Sequence, residues 1–153
     1  MHHSLWATPI DPVYDTMIAQ LAERCSTPHF PAHVTLLESF EGDELARLGS
    51  GSFDIVFSRV KTHGASVVLE ADASEPFDAL SSSARALFGG TIPPIHLSLV
   101  YFPKNPDEVR LAVEQALELP LTIRFSRLEL WDTKGDLTPE NVRSWTMIRR
   151  KAL

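Results

Sequence analysis

One domain of interleaved strands and helices, folded as two similar lobes, is the class this sequence predicts. Three observations carry that reading. A seven-residue phrase occurs twice, as "PAHVTLL" at Pro31–Leu37 and "PIHLSLV" at Pro94–Val100, each reading Pro, any residue, His, apolar, hydroxyl, Leu, apolar. The two histidines, at positions 33 and 96, are separated by about the length of a half-domain. A helical pattern precedes each copy, and no Gly/Ser-rich or low-complexity linker divides the chain, so its 153 residues are read as one domain over 1–153.

The elements follow in order. "SLWATPI" alternates as a strand, with Leu5 and Ala7 opposite Trp6 and Thr8. Asp11-Pro12 reads as a helix start, Asp as N-cap and Pro at the first helical position, and Val13, Met17, Leu21 and Cys25 form the expected buried stripe. Pro28 and Pro31 end that helix. "HVTLLESF" is a strand, and "GDELARL" a short helix closed by Gly49 and Gly51. "FDIVFSRVKTHGASVVLEAD" reads as two strands turning at His63-Gly64. "SEPFDALSSSARALF" is a helix with Phe77, Leu80, Ala84 and Leu87 or Phe88 inward, stopped at Gly89-Gly90. After the second motif strand, Asn105-Pro106 opens an amphipathic helix with Val109, Val113 and Leu117 inward. "LTIRFSRLELWDT" is a strand, "KGDLTPEN" a turn region and "RSWTMIRR" a last strand.

Charge and composition narrow the function. A net charge of −6 argues against a broad grip on nucleic acid, which needs clustered Lys and Arg. One cysteine, Cys25, allows no intrachain disulfide and no cysteine-rich zinc site. No signal peptide and no membrane-spanning apolar run are read, so a cytoplasmic protein is expected.

Along a strand, residues i and i+2 share a face. His33 and Thr35 therefore stand together, as do His96 and Ser98, with Val34, Leu36, Leu97 and Leu99 on the other, core-facing side. If a pseudo-two-fold axis relates the strands, the four polar groups converge. Two imidazoles with pKa values near 6.5 can serve as general base and general acid, and two hydroxyls can hold phosphoryl oxygens. That set suits the opening of a cyclic phosphodiester by water. Hydroxyls are poor zinc ligands and no third ligand stands at usual spacing, so no metal or other cofactor is expected.

The pair "HVT" and "HLS" resembles the twin His-x-Thr/Ser signature of the 2H phosphoesterase superfamily. Within it the chain is most similar to the small cyclic phosphodiesterases of plant and yeast type, since "SLWATP", "PHFPAHVT", "PIHLSLVY" and "RLELWDTKG…VRSWTMI" fall in family order. The resemblance implies a bilobal α+β fold, two antiparallel sheets with helices outside and a central water-filled groove. It implies hydrolysis of nucleoside 2′,3′-cyclic phosphates to 2′-phosphates, or of ADP-ribose 1″,2″-cyclic phosphate. It makes His33 and His96 catalytic, with His96 as base and His33 as acid. Thr35 and Ser98 become phosphate ligands, Tyr101 an aromatic reaching the phosphate or its water, and Trp6 an aromatic flanking the base. The plant members' paired cysteines have no counterpart here. The expected partner is a small nucleotide or ADP-ribose cyclic phosphate, met by a monomer.

Two other classes were weighed. An RNA end-processing member of the superfamily, ligase or phosphodiesterase, fits the motifs but not the acidic charge. A non-catalytic nucleotide-binding module fits the fold but not the intact motifs. His29 and His63 read as solvated loop residues that could also line the groove, and "RRK" at 149–151 reads as a solvated chain end. Trp131, Asp132 and Thr133 either rim the groove or end a strand.

Overall fold

Alternation in the strands gives the sheet one apolar and one functional face. The computed structural model describes residues 2–49 and 51–153. In chain order they form β1 (His3–Pro9), α1 (Val13–Cys25), β2 (Val34–Phe40), a 3-10 turn (Leu45–Arg47), β3 (Phe53–Phe57), β4 (Arg59–His63), β5 (Ser66–Glu70), α2 (Glu75–Phe88), β6 (His96–Tyr101), α3 (Pro106–Ala116), β7 (Leu121–Asp132), α4 (Pro139–Ser144) and β8 (Thr146–Ala152). The strand order is β3-β7-β1-β2-β6-β5-β4, with β8 on β7, and every pairing is antiparallel. Leu5, Ala7, Val34, Leu36, Leu97, Leu99, Leu128 and Leu130 are buried on the core side. Each of the leucines and Val34 contributes roughly 1.5–3 kcal/mol relative to exposure.

The two sheets expected from the resemblance are one continuous eight-stranded sheet, its halves joined among the described residues by a single register pair, Val34 opposite Leu97, between β2 and β6. These are the central residues of the two His-x-hydroxyl triplets. Extending that antiparallel register one residue either way sets His33 across from Ser98 and Thr35 across from His96. The local two-fold thus runs through the twin motif itself.

Several expectations shift in detail. The helical N-cap is Pro12, one residue later than expected, while Asp11 Oδ1 accepts the Val13 N–H at 2.9 Å. The buried face of α1 is Ile18, Leu21 and Ala22; Val13 is exposed, and Met17 and Cys25 lie half-buried at the rim. The stretch read as two strands is three. The chain breaks at Ser58, so that β3 pairs with β7 in one lobe and β4 with β5 in the other. The "KGDLTPEN" region runs into α4, whose Thr138 side chain accepts the Asn141 N–H at 3.1 Å with Pro139 following it. That hydroxyl-Pro start is the same kind of signal as the Asn105-Pro106 start of α3. The "RRK" run is strand β8, not a free end: Arg149 pairs with Asp43, Arg150 with Glu129, and Lys151 donates to the carbonyls of Leu45, Ala46 and Leu48.

The approach to the second motif is fixed by a backbone contact. Thr91 and Glu38 exchange two backbone hydrogen bonds at 2.9 Å, and Gly90 lies against Glu38 with φ +84°. A Cβ there would stand 2.6 Å from the Glu38 carbonyl oxygen. Gly90→Ala is expected to destabilise the fold by about 2 kcal/mol or more, from left-handed strain plus a backbone clash. Gly49→Ala, where a Cβ meets nothing, should stay within about 0.5 kcal/mol. Urea denaturation of both variants checks the contrast.

Candidate active site

A groove of about 480 Å³ opens on the polar face where β1, β2 and β6 run side by side. Its walls include Trp6, His33, Thr35, His96, Ser98 and Tyr101, all six residues singled out by the sequence. Glu38, His63, Thr133 and Trp145 line it as well. No Lys or Arg side chain is among its lining residues.

Local geometry repeats at each motif. His33 Nδ1 lies 2.7 Å from the Pro31 carbonyl oxygen, and His96 Nδ1 lies 2.8 Å from the Pro94 carbonyl oxygen. A carbonyl only accepts, so Nδ1 carries the proton in both rings, and Nε2 keeps its lone pair when the ring is neutral. The proline two residues before each histidine therefore sets its tautomer.

The surroundings of the two rings differ. His33 is 5% exposed. It stacks on Trp6 with centroids 3.5 Å apart and planes at 8°, while Phe30 and Trp145 meet its edges at 6.1 and 6.4 Å. His96 is half-buried and has His63, expected in a loop and found at the end of β4, at 6.1 Å. Desolvation by burial lowers the pKa of His33 to about 3, against the raising effect of its hydrogen bond to Pro31, with the nearby His96 lowering it further. His33 is thus neutral in the free protein at pH 7. The resemblance assigned it the role of acid, which needs a proton that this environment does not hold in the free state.

Trp6 departs from its expected part. It is 1% exposed, with His33, the residue before β2, stacked on it on one side and Trp131 of β7, at 4.6 Å, on the other. No open face remains on which a base could lie, because both neighbours are rings. Trp6 is instead the platform under His33. Tyr101 is buried against Phe30 at 4.4 Å, and burial pushes its hydroxyl pKa up to about 12, opposed by a hydrogen bond with Ser98. It is a neutral donor or acceptor beside Ser98. Trp145, which the sequence reading passed over inside "RSWTMI", is the hub of the wall. It touches Trp6, Phe30, His33 and Tyr101, and its indole N–H donates to the Thr133 carbonyl at 3.0 Å. The available signal was a large aromatic next to a strand of charged residues.

Among the described residues, no group of three or more His, Cys, Asp or Glu could hold a metal ion, and no helix is long and apolar enough to cross a membrane. The depressed His33 pKa has a consequence for stability. Between about pH 6.5 and 3 the unfolded chain binds a proton at His33 that the folded chain does not. Stability therefore rises with pH across that window and is lost on acidification, with a slope of up to about 1.4 kcal/mol per pH unit from this group. His33→Gln removes the titration. Urea unfolding at pH 4.5 and 6.5 should show a smaller pH difference in the variant than in the parent.

No protein-family model matches the chain, and no curated protein matches it in sequence. Solved structures do. E. coli LigT complexed with ATP aligns at a TM-score of 0.59 and 12% identity, over 99% of this chain and 96% of that one. E. coli LigT complexed with 3′-AMP aligns at 0.58 and 14%, over 99% and 97%. A structure described as a phosphoesterase aligns at 0.56 and 15%, over 100% and 99%. At these identities the likeness establishes the fold: the chain has the α+β architecture of LigT, matched end to end.

Proposed function

We propose that this protein is a metal-independent phosphoesterase that opens the cyclic phosphodiester of a small nucleotide with water. The observation that carries the reading is the twin motif centred on the Val34–Leu97 pair, with both imidazoles held in one tautomer by their prolines and both lining one groove. The end-to-end match to a phosphoesterase fold supports it, as do the nucleotides held by the LigT structures.

The phosphorus would sit between the two triplets, its free oxygens taking hydrogen bonds from Thr35 and Ser98. Burial of His33 supports a division of labour opposite to the one the resemblance implied. Neutral at its Nε2, His33 takes a proton from the attacking water; His96, nearer solvent, gives a proton to the departing ribose oxygen. Water adds to phosphorus, the ring P–O bond breaks, and departure of the 3′ oxygen leaves a 2′-phosphate. Tyr101, neutral and next to Ser98, steadies the phosphoryl oxygens or the water. Trp6 fixes the plane of the His33 ring.

Hydrolysis of adenosine 2′,3′-cyclic phosphate, followed by phosphorus NMR, tests the proposal. His33→Ala and His96→Ala should each lower kcat/KM by ~10²–10⁴-fold. Activity should persist in a strong chelator. Near-normal turnover in either variant, a 3′-phosphate product, or loss of activity on chelation would contradict the mechanism at a different step.

The pH dependence is a separate check. The kcat/KM profile should be bell-shaped with limbs that belong to the histidine pair, its acidic limb well below the ordinary imidazole value of about 6.5. Bound phosphate favours a positive imidazole, so the kcat profile should lie to the alkaline side. An acidic limb at or above 6.5 in kcat/KM would show that His33 is not held neutral.

A further inference from the structure

A third imidazole lines the groove. His63 ends β4 at the tip of the β4–β5 hairpin and is exposed, and its ring stands 6.1 Å from that of His96 with the planes 30° apart. The hairpin tip is pinned. Ser66, 5% exposed, donates its hydroxyl to the His63 carbonyl at 2.8 Å, and the Phe102 N–H donates to the Ala65 carbonyl at 2.6 Å. The backbone of His63 is thus fixed while its ring, among the described residues, makes no hydrogen bond. Its charged neighbours are engaged elsewhere. Arg59 and Lys61, on the same side of β4, lie 2.9 and 3.9 Å from the Glu70 carboxylate, which stands across from His96, and Arg59 also pairs with Asp72 at 2.6 Å. The titratable groups that line the groove with His63 are His33 before β2, Glu38 of β2, and His96 and Tyr101 of β6. From β1, the loop after β7 and Trp145 no titratable group is added.

Positive charge is what the groove lacks. No Lys or Arg lines it, Glu38 adds a carboxylate, and His33 is held neutral. In the proposed reaction the ligand's charge also changes. A cyclic diester carries one negative charge; a phosphomonoester, with a second ionisation near pH ~6, carries close to two at neutral pH. His96 gives up its proton as the monoester forms. The exposed end of the groove thus loses positive charge as the ligand gains negative charge. Histidine is the side chain whose charge ordinarily changes between about pH 5 and 8. A dianion held between two imidazoles favours a proton on each and offsets their mutual repulsion. We propose that His63 is a phosphate-binding residue that forms, with His96, a two-imidazole clamp on the monoester product, taking a proton from solvent when the dianion is held and letting the product go when that proton is lost. The inference rests on the proposed reading that the phosphate lies at His33 and His96. It makes the protein favour its doubly charged product over its singly charged substrate as pH falls, so that product release slows on the acidic side.

Calorimetric titration at pH 6, 7 and 8, in buffers of different ionisation heat so that proton uptake is counted, tests it. Adenosine 2′-phosphate is titrated into the parent chain and into His63→Gln, which keeps a hydrogen-bonding side chain but cannot hold the charge. His63 is exposed beside a turn, so the change does not touch the core. Inorganic sulfate, doubly charged at all three pH values, is the probe with no titration of its own. Adenosine 2′,3′-cyclic phosphate is titrated on the His33→Gln background, where turnover is slowed, with and without His63→Gln. For both dianions His63→Gln should weaken binding at pH 6 by ~10-fold, as loss of a charge-assisted hydrogen bond does. Fewer protons should be taken up at pH 7, and the difference between the two proteins should shrink at pH 8. The cyclic diester should weaken less. Unchanged dianion affinity and proton uptake in His63→Gln would overturn the inference. So would equal weakening of dianion and diester at every pH, which would mark an uncharged contact. Turnover by the parent protein is scored separately. Turnover with dianion binding indifferent to His63 sinks the clamp alone, and dianions held through His63 without turnover sink the hydrolase reading alone.

Discussion

One antiparallel contact, Val34 opposite Leu97, organises the molecule. It is the only register pair between β2 and β6 among the described residues, and it makes β3-β7-β1-β2 and β6-β5-β4 one eight-stranded sheet with β8 on β7. A pair of buried aliphatic side chains at the centre of two matching triplets makes the polar neighbours on either side fall on the opposite face of the sheet. A shift of one residue in this register would turn the His and hydroxyl groups into the core and the leucines into the groove. The apolar residues of the motif thus decide where its polar residues go. The core and the site depend on the same register.

If it takes an anion, as proposed, the groove built this way has an unusual electrostatic character. Its fixed cations are none, its one carboxylate is Glu38, and its remaining polar groups are hydroxyls and imidazoles. A phosphate bound there would meet positive charge from the lining residues only as a proton on a histidine. This couples binding to pH in a way that a lysine or arginine clamp would not, since those groups stay charged across the physiological range. The buried setting of His33 deepens the coupling, because desolvation opposes its protonation until an anion compensates.

The sequence carried much of this because the motif is local and periodic. Period-two alternation set which side of β2 and β6 was polar, and the repeat pointed to the two-fold; both needed only residues close in the chain. Other features needed partners from far away. Trp6 was read as a base-stacking residue because nothing in "SLWATP" indicates that His33 and Trp131 will cover both of its faces. The crossing at Ser58 leaves a phase change in the pattern, buried residues falling at Phe53, Ile55 and Phe57 before it and at Val60 after it, and the choice of pairing partner, β7 or β5, separates β3 from β4. The start of α4 was legible in Thr138-Pro139 and was lost to the loop character of the preceding Lys134-Gly135-Asp136. Arg149, Arg150 and Lys151 looked like a solvated end because their partners, Asp43, Glu129 and the carbonyls near Leu45, lie far upstream.

Symmetry in the motif does not extend to its surroundings, and that asymmetry gives the two histidines different capacities. The same proline carbonyl orders both rings at almost the same distance. Beyond that first contact the lobes diverge. β1 lies beside β2 and brings Trp6 under His33, and the connection into β8 brings Trp145 to its edge. β6 has β5 beside it, and what reaches His96 is the polar ring of His63 at the turn end of the β4–β5 hairpin. An acid–base pair needs one ring that stays neutral and one that can hold a proton. Two copies of one motif supply the geometry for both roles. The aromatic packing around only one of them supplies the difference, so in the proposed mechanism residues that never touch the reacting atoms would set the division of labour.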